Sequence, residues 1–260
     1  MRVVISAFCF FVISFSTCLA DYGQSKDWFY SLDRGQRIRI QHLLVFTGDY
    51  RTVVDGDFGQ NTYNALTSFQ KHRDYPQTGV LSNDQMQILL RDGLDLANRV
   101  GFKYLNDAAA GISLGVPVKL FDPPSPAERG TRWRAFDGSI ELETLMVPAE
   151  ETGYQDLFKR LAKQRSGRVI DYKVQRNDFF VISGEQDGRS FFLRIMKTPV
   201  DSRGFSLSWE TKHTVFMDRV AVAMSNSLDQ YDGTADQQLG AAPTSPPTGS
   251  GALGKGDRIN

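Results

Sequence analysis

Residues 48–70 read GDYRTVVDGDFGQNTYNALTSFQ, and this stretch decides how the N-terminal part of the chain folds. Its first half predicts a loop, because Asp55-Gly56 and Phe58-Gly59 place two flexible glycines around one aromatic residue. Its second half predicts an amphipathic helix with Gly59 as N-cap, so that Phe58 can pack on Tyr63 as a hydrophobic staple. The buried face of that helix, at i, i+3, i+4 and i+7, is formed by Thr62, Ala65, Leu66 and Phe69.

Two further helices flank this stretch and complete a small all-α domain over residues 34–93. The helix before it ends at Gly48, a residue type that commonly follows a helix C-terminus. The helix after it begins with a capping box of Ser82 and Gln85, and Gly93 is expected to end it. Because each of the three helices is too short to be stable alone, mutual packing is expected to hold them.

A longer pattern runs through the loop and the central helix. It consists of Asp55, Gly56, Phe58, Gly59, Thr62, Ala65, Leu66, Phe69 and Gln70, which form one structural motif. In this order and spacing the motif resembles the small three-helix peptidoglycan-binding domain that many bacterial cell-wall enzymes carry. The resemblance covers residues 34–93, less than a quarter of the chain, and it implies peptidoglycan as the partner.

Peptidoglycan presents flat sugar faces and stem-peptide carboxylates, so a surface that binds it is expected to offer aromatic rings, amides and arginine. On the loop and the first helical turn, these groups are supplied by Tyr50, Arg51, Gln60, Asn61 and Tyr63. The helix start also favours anionic groups through its outward backbone N–H groups. We therefore expect these five residues to bind the ligand, whereas the large apolar residues of the motif fill the core.

Residues 1–20 have the anatomy of a secretory signal peptide. Arg2 precedes the apolar run of residues 3–15, and Cys18-Leu19-Ala20 supplies small residues at the usual positions before a cleavage site. The apolar run is too short to span a membrane comfortably. We therefore expect export to the periplasm or cell envelope, and no integral membrane span after cleavage.

The pattern changes to strand alternation between residues 116 and 231. Asp-Gly turns at 137–138 and 187–188 separate pairs of strands, and the elements follow the order ββαββββα. The predicted fold class is therefore α+β overall: the small all-α three-helix domain is followed by an α+β domain with a mainly antiparallel sheet backed by helices. This element order is similar to that of the PsbP/Mog1-like α+β sandwich.

Two further segments are expected to lie outside both domains. Residues 94–115 predict a linker with helical character. Residues 232–260 are rich in Gly, Pro, Ser, Thr and Ala. Because they contain almost no large apolar residue, they predict a disordered tail.

Composition and residue spacing argue against several function classes. Lysine plus arginine equals aspartate plus glutamate at 30 each, so no nucleic acid partner is expected. Both cysteines, Cys9 and Cys18, fall in the signal peptide, which leaves the mature chain without a thiol nucleophile. The histidines His42, His72 and His213 lack metal-ligand spacing, and residues 21–231 contain no Gly-x-Ser-x-Gly elbow. We therefore expect no catalytic residue, no metal and no cofactor.

These observations predict an exported, non-catalytic protein that binds peptidoglycan through residues 34–93. Its accessory α+β domain has an unknown ligand, and an envelope protein is a candidate partner for it. The alternative is a cell-wall-targeted enzyme with its active site in the α+β domain. A polar pocket with convergent carboxylates on the sheet would favour that alternative. A third hypothesis keeps the helical fold but assigns it no glycan binding.

We predict that the mature protein begins at Asp21 and carries no lipid. Ala20 provides the small residue that precedes a signal-peptidase cut, whereas Phe15-Ser16-Thr17 lacks the aliphatic and small residues expected before a lipidated cysteine. Intact-mass measurement of the exported protein checks both statements. A diacylglyceryl group on Cys18 would contradict them.

Overall fold

The computed structural model describes residues 22–233, which contain six α-helices, two short 3-10 helices and ten β-strands. The predicted signal peptide, residues 1–20, and nearly all of the predicted tail, residues 232–260, lie outside the described residues. Among the described helices, none is both long and apolar enough to cross a membrane.

The helical part of the molecule consists of α1 (Tyr22–Ser31), α2 (Arg34–Thr47), α3 (Gln60–Lys71) and α4 (Asn83–Val100). Helix α2 ends at Gly48, whose φ of 89° is in the left-handed region that favours glycine. Helix α3 begins after Gly59, and α4 begins with the capping box of Ser82 and Gln85. The three helices predicted from the sequence are therefore present, with the predicted residues at these ends.

Two features of the helical part differ from the prediction. Helix α1 was not predicted, and it is attached to the loop before α4 because the Ser25 hydroxyl donates to the Gly79 carbonyl at 2.7 Å. Gly93 does not end the last helix, which continues to Val100 and ends at Gly101. A Cβ atom at Gly93 would lie 2.7 Å from Leu43 Cδ2 and 3.1 Å from Leu43 Cα. Gly93 therefore permits the close crossing of α2 and α4.

The sheet part contains two antiparallel sheets, in the orders β1-β2-β10 and β3-β4-β5-β9-β8-β7-β6. Its strands are β1 (Phe102–Asp107), β2 (Ile112–Pro117), β3 (Ser125–Ala127), β4 (Gly130–Arg134), β5 (Ile140–Pro148), β6 (Arg168–Gln175), β7 (Phe179–Gln186), β8 (Arg189–Lys197), β9 (Asp201–Glu210) and β10 (Asp229–Gln230). Its helices are α5 (Tyr154–Leu161) and α6 (Thr214–Ser227). From β4 to α6 the order is ββαββββα, so the predicted α+β class and its antiparallel sheet are confirmed.

Residues 94–115, expected to be a linker with helical character, have a different structure over most of their length. The end of α4 accounts for the helical portion, and a hairpin of β1 and β2 follows. All six residues of β2 are buried, so the strand lacks the alternation that marks a half-exposed strand. Gly115 also interrupts its apolar run, because the ring of Phe102 occupies the space of a side chain there.

One continuous apolar core joins the helical part to the sheet part. Helix α6 makes this connection, since it packs against α2, β2, β8 and β9. The core includes Leu44, Phe46, Leu89, Ile112, Leu142, Leu207, Val220 and Met224. A second cluster lies on the other face of the large sheet, under α5, and includes Leu157, Phe180 and Ile182. The large sheet is therefore backed by a helix on each face.

Replacing Gly93 with Val should destabilise the protein by about 1–3 kcal/mol, because the new side chain overpacks the crossing of α2 and α4. Urea unfolding of the mature chain measures this loss. Gln87→Val is the matched control, since Gln87 is exposed on the same helix and the substitution introduces the same β-branched side chain. Equal free energies of unfolding for the two variants would show that the helices do not cross closely at Gly93.

Candidate functional site

The loop before α3 is held by the buried amide of Gln41, on α2. The Gln41 Oε1 accepts hydrogen bonds from the N–H groups of Asp55 (3.1 Å) and Gly56 (2.8 Å). Its Nε2 donates to the Asp57 carbonyl at 2.9 Å and to Thr62 Oγ1 at 3.1 Å. One side chain therefore fixes both the loop at Asp55-Gly56 and the first helical turn of α3. This is why loop and helix residues occur together in one motif.

Tyr50 does not present its ring to solvent, which corrects the expectation that it contacts a ligand. It is only 4% exposed, and its hydroxyl donates to the Val53 carbonyl at 2.7 Å. Burial raises the pKa of Tyr50 to about 12, and the nearby Asp55 carboxylate acts in the same direction. Tyr50 is therefore a structural residue of the loop. The sequence did not reveal this, because its hydrogen-bonding neighbours Gln41 and Thr62 lie on other elements.

A group of aromatic rings surrounds Phe58 at the start of α3. The Tyr22 ring packs edge-on against Tyr63, with 5.2 Å between centroids, and against Phe58, with 5.1 Å. The Tyr30 hydroxyl accepts a hydrogen bond from the Phe58 N–H at 3.1 Å. Tyr22 and Tyr30 remain 40% and 41% exposed. With two neighbouring exposed amides they form a surface that we call the aromatic face: Tyr22, Tyr30, Gln60, Asn61 and Tyr63.

The aromatic face contains three of the five residues predicted to bind ligand. Gln60 and Asn61 are the first two residues of α3, and Tyr63 follows one turn later as a half-buried ring. Tyr22 and Tyr30 were missed because α1 was not predicted. Four aromatic residues within nine positions, Tyr22 and Trp28-Phe29-Tyr30, were the signal in the sequence that an ordered element lies there.

Arg51 lies apart from the aromatic face, in a cleft between the helical part and the sheet part. We call this cavity, of about 890 Å³, the interdomain cleft. One wall is the loop of residues 50–53, another is α6, and the floor is the face of β6, β7 and β8 that points away from α5. Asp218 of α6 lies in the cleft near Arg51. Burial raises the pKa of Asp218, and the positive charge of Arg51 opposes that shift.

The described histidines and acids do not assemble a metal site. Residues 22–233 contain no group of three or more His, Cys, Asp or Glu side chains placed to hold an ion. Burial lowers the pKa of His42 to about 4, so this residue is neutral near pH 7. His72 Nδ1 lies 2.9 Å from the Asp49 carboxylate, which also accepts from Ser68. These contacts hold the end of α3 to the loop after α2.

Comparisons with known proteins bear on both parts of the chain. Residues 33–89 match the family model of the peptidoglycan binding domain. The match confirms the resemblance for this segment. Among solved structures, the chain is similar to cyanobacterial PsbP (CyanoP) from Synechocystis sp. PCC 6803, with 11% identity and a TM-score of 0.38, over 50% of this chain and 92% of that one. No curated protein matches the chain.

Replacing Gln41 with Met should lower the free energy of unfolding by about 2–4 kcal/mol. The substitution keeps the length of the side chain but leaves the Asp55 and Gly56 N–H groups without their acceptor, and unsatisfied buried donors cost about 1–3 kcal/mol each. Urea unfolding measures the effect, with Gln87→Met at an exposed position of α4 as the control. If both variants unfold at the same urea concentration, Gln41 does not organise the loop.

Proposed function

We propose that this protein binds peptidoglycan without cleaving it, through the aromatic face of its helical part. The observation that supports the proposal most strongly is the family match over residues 33–89, which includes α3, the helix that carries three of the five residues of this face. We further propose that the protein is exported and acts in the periplasm or cell envelope, as its N-terminal sequence indicates.

The aromatic face has the chemistry that a glycan chain requires. Exposed tyrosine rings offer flat apolar surfaces for sugar C–H groups. The amides of Gln60 and Asn61 supply donors and acceptors for sugar hydroxyls and acetamido groups. Both amides stand at the start of α3, where the positive end of the helix dipole favours anionic groups such as stem-peptide carboxylates.

Affinity for a single site should be weak, because the contacts are few and exposed. We expect a dissociation constant of roughly micromolar to millimolar for a soluble glycan fragment. A sacculus repeats the ligand many times, so a protein that dissociates from one site rebinds at the next. Sedimentation with intact sacculi is therefore the sensitive assay, and the full mature chain is the right protein because the helical part shares its core with α6.

A second candidate function, a wall-targeted enzyme, is favoured by one observation. Asp218 is a half-buried carboxyl group in a large cleft, and burial raises its pKa in the direction that general acids require. Incubating the protein with purified sacculi and analysing the soluble fraction for released fragments tests this candidate. Fragments that appear with the parent protein and disappear with Asp218→Asn would make it the better description.

We predict that the mature chain sediments with purified sacculi and that Gln60→Ala/Asn61→Ala with Tyr22→Ala lowers the bound fraction severalfold. These side chains are exposed and lie on the aromatic face, so their loss removes ligand contacts and leaves most of the core unchanged. Unchanged helical circular dichroism verifies that the fold is retained.

The control is Asn83→Ala/Gln87→Ala, which removes two exposed amides near the start of a different helix, α4. It should sediment like the parent protein. If the aromatic-face variant also sediments like the parent, the ligand binds elsewhere. If the parent protein stays in the supernatant, the proposed function is wrong.

A further inference from the structure

We propose that the interdomain cleft is a second binding site, which takes the stem peptide of peptidoglycan through its free carboxylates. Arg51 was predicted from the sequence to be one of five peptidoglycan-binding residues on one surface, whereas the structure places it in this cleft. The cleft volume of about 890 Å³ lies within the roughly 300–1,000 Å³ that is typical of ligand sites. The choice of ligand rests on the proposed function, because it assumes that the protein meets the cell wall.

The wall that carries Arg51 is fixed before any ligand arrives. Asn226 of α6 accepts a hydrogen bond from the Val54 N–H at 2.8 Å and donates to the Thr52 carbonyl at 3.1 Å. These bonds join the loop to α6 through the residues immediately before and after Val53. The cleft therefore offers a preformed arrangement, which reduces the entropy lost when a flexible ligand binds.

Four arginines line the cleft. The guanidinium groups of Arg51, Arg176, Arg194 and Arg219 make no hydrogen bond or ion pair with another residue of 22–233. Arg194 stands over the Phe179 ring, with Cζ 4.2 Å from the centroid, and its Nε is buried without an acceptor. A buried donor without an acceptor is costly, and this residue adds an unpaired guanidinium to the lining of the cleft. Arginine forks match carboxylate geometry, so a carboxylate is the expected group.

The cleft also carries acidic groups, which narrows the class of ligand. Asp171, Glu185 and Asp218 line it together with the four arginines. A purely anionic polymer would be repelled by these carboxylates, whereas a ligand that bears both signs is accommodated. Stem peptides have this character, because they carry free carboxylates and the amino group of a diamino acid. Their charge pattern therefore fits the lining of the cleft.

The floor of the cleft suits a short extended peptide. Val181, Phe192 and Tyr172 lie on one face of β6 to β8, and the register pairs Ser183 with both Tyr172 and Phe192. Tyr172 is 54% exposed, so its ring is available to the ligand. Arg219 of α6 and Arg194 of β8 line the same cleft as this apolar strip. A peptide that runs along it can place its backbone on the strip and its end groups on the guanidiniums.

Titration of the full mature chain with a synthetic stem tetrapeptide tests the proposal. Calorimetry should detect binding of the free acid and about tenfold weaker binding of the same peptide with its carboxylates amidated, since each charge-assisted contact contributes about that factor. Arg51→Gln/Arg176→Gln should weaken binding of the free acid by a similar factor. Both side chains are exposed, so the fold should be retained. Arg194→Gln is a second variant on the same floor.

The matched control is Arg160→Gln/Lys163→Gln, which removes two exposed charges at α5, on the other face of the sheet. It should bind the peptide like the parent protein. Equal weakening by this control, or no weakening by the cleft variants, would overturn the proposal. Equal binding of an all-L acidic peptide of the same length and charge would overturn the assignment to the wall and indicate a protein segment instead.

The two proposals fail in distinguishable ways. If the parent protein sediments with sacculi but gives no heat with the soluble tetrapeptide, binding at the aromatic face remains the proposal and binding in the cleft is wrong. If the parent protein binds the tetrapeptide but not sacculi, the cleft remains a peptide site and the proposed function is wrong.

Discussion

The arrangement of the candidate site depends on one constraint: a buried amide must satisfy all of its hydrogen-bonding groups. Gln41 meets that constraint by using both ends of its side chain on the turn before α3. Gln70 does the same at the other end of α3, where it donates to the Val80 carbonyl and accepts from the Gly79 N–H. Two internal amides thus position two loops. The aromatic face lies next to these loops, so the positions of its rings depend on them. Because networks of this kind lose much of their value when one member is missing, the motif tolerates few substitutions at these positions.

The same molecule offers two surfaces of different chemistry. The aromatic face combines rings and amides, which suit neutral sugars, whereas the interdomain cleft combines guanidinium and carboxylate groups over an apolar floor. A wall polymer contains both kinds of group in one repeating unit, a glycan strand with a peptide branch. Occupation of both surfaces by one strand would raise the local concentration of each ligand at its site. The hydrogen bonds of Asn226 join the loop of residues 52–54, one wall of the cleft, to α6.

The parts of the structure that sequence could predict are those decided by neighbours along the chain. Capping at Ser82, the left-handed Gly48 and the Asp-Gly turns are local, and the order of elements along the chain followed from alternation between such turns. The exposure of Tyr50 could not be predicted, because it is decided by Gln41 and Thr62 from other helices. The cleft could not be predicted from the sequence either, because its walls include Thr52 and Asn226, which lie 174 positions apart in the chain. Gly93 misled the prediction because a glycine that ends a helix and one that permits a close crossing look the same in a sequence.

Helix α6 lies near the end of the described residues, yet it packs in the same core as the N-terminal helix α2. Helix α2 packs on α6 as well as on α4, and Val220 and Met224 of α6 belong to the same core, so part of the packing of the N-terminal helices depends on α6. Contacts between residues far apart in the sequence slow folding, because the entropy of closing a long loop is lost before the contacts lower the free energy. The N-terminal helices therefore complete their packing only after α6, more than a hundred residues further along the chain, has joined them.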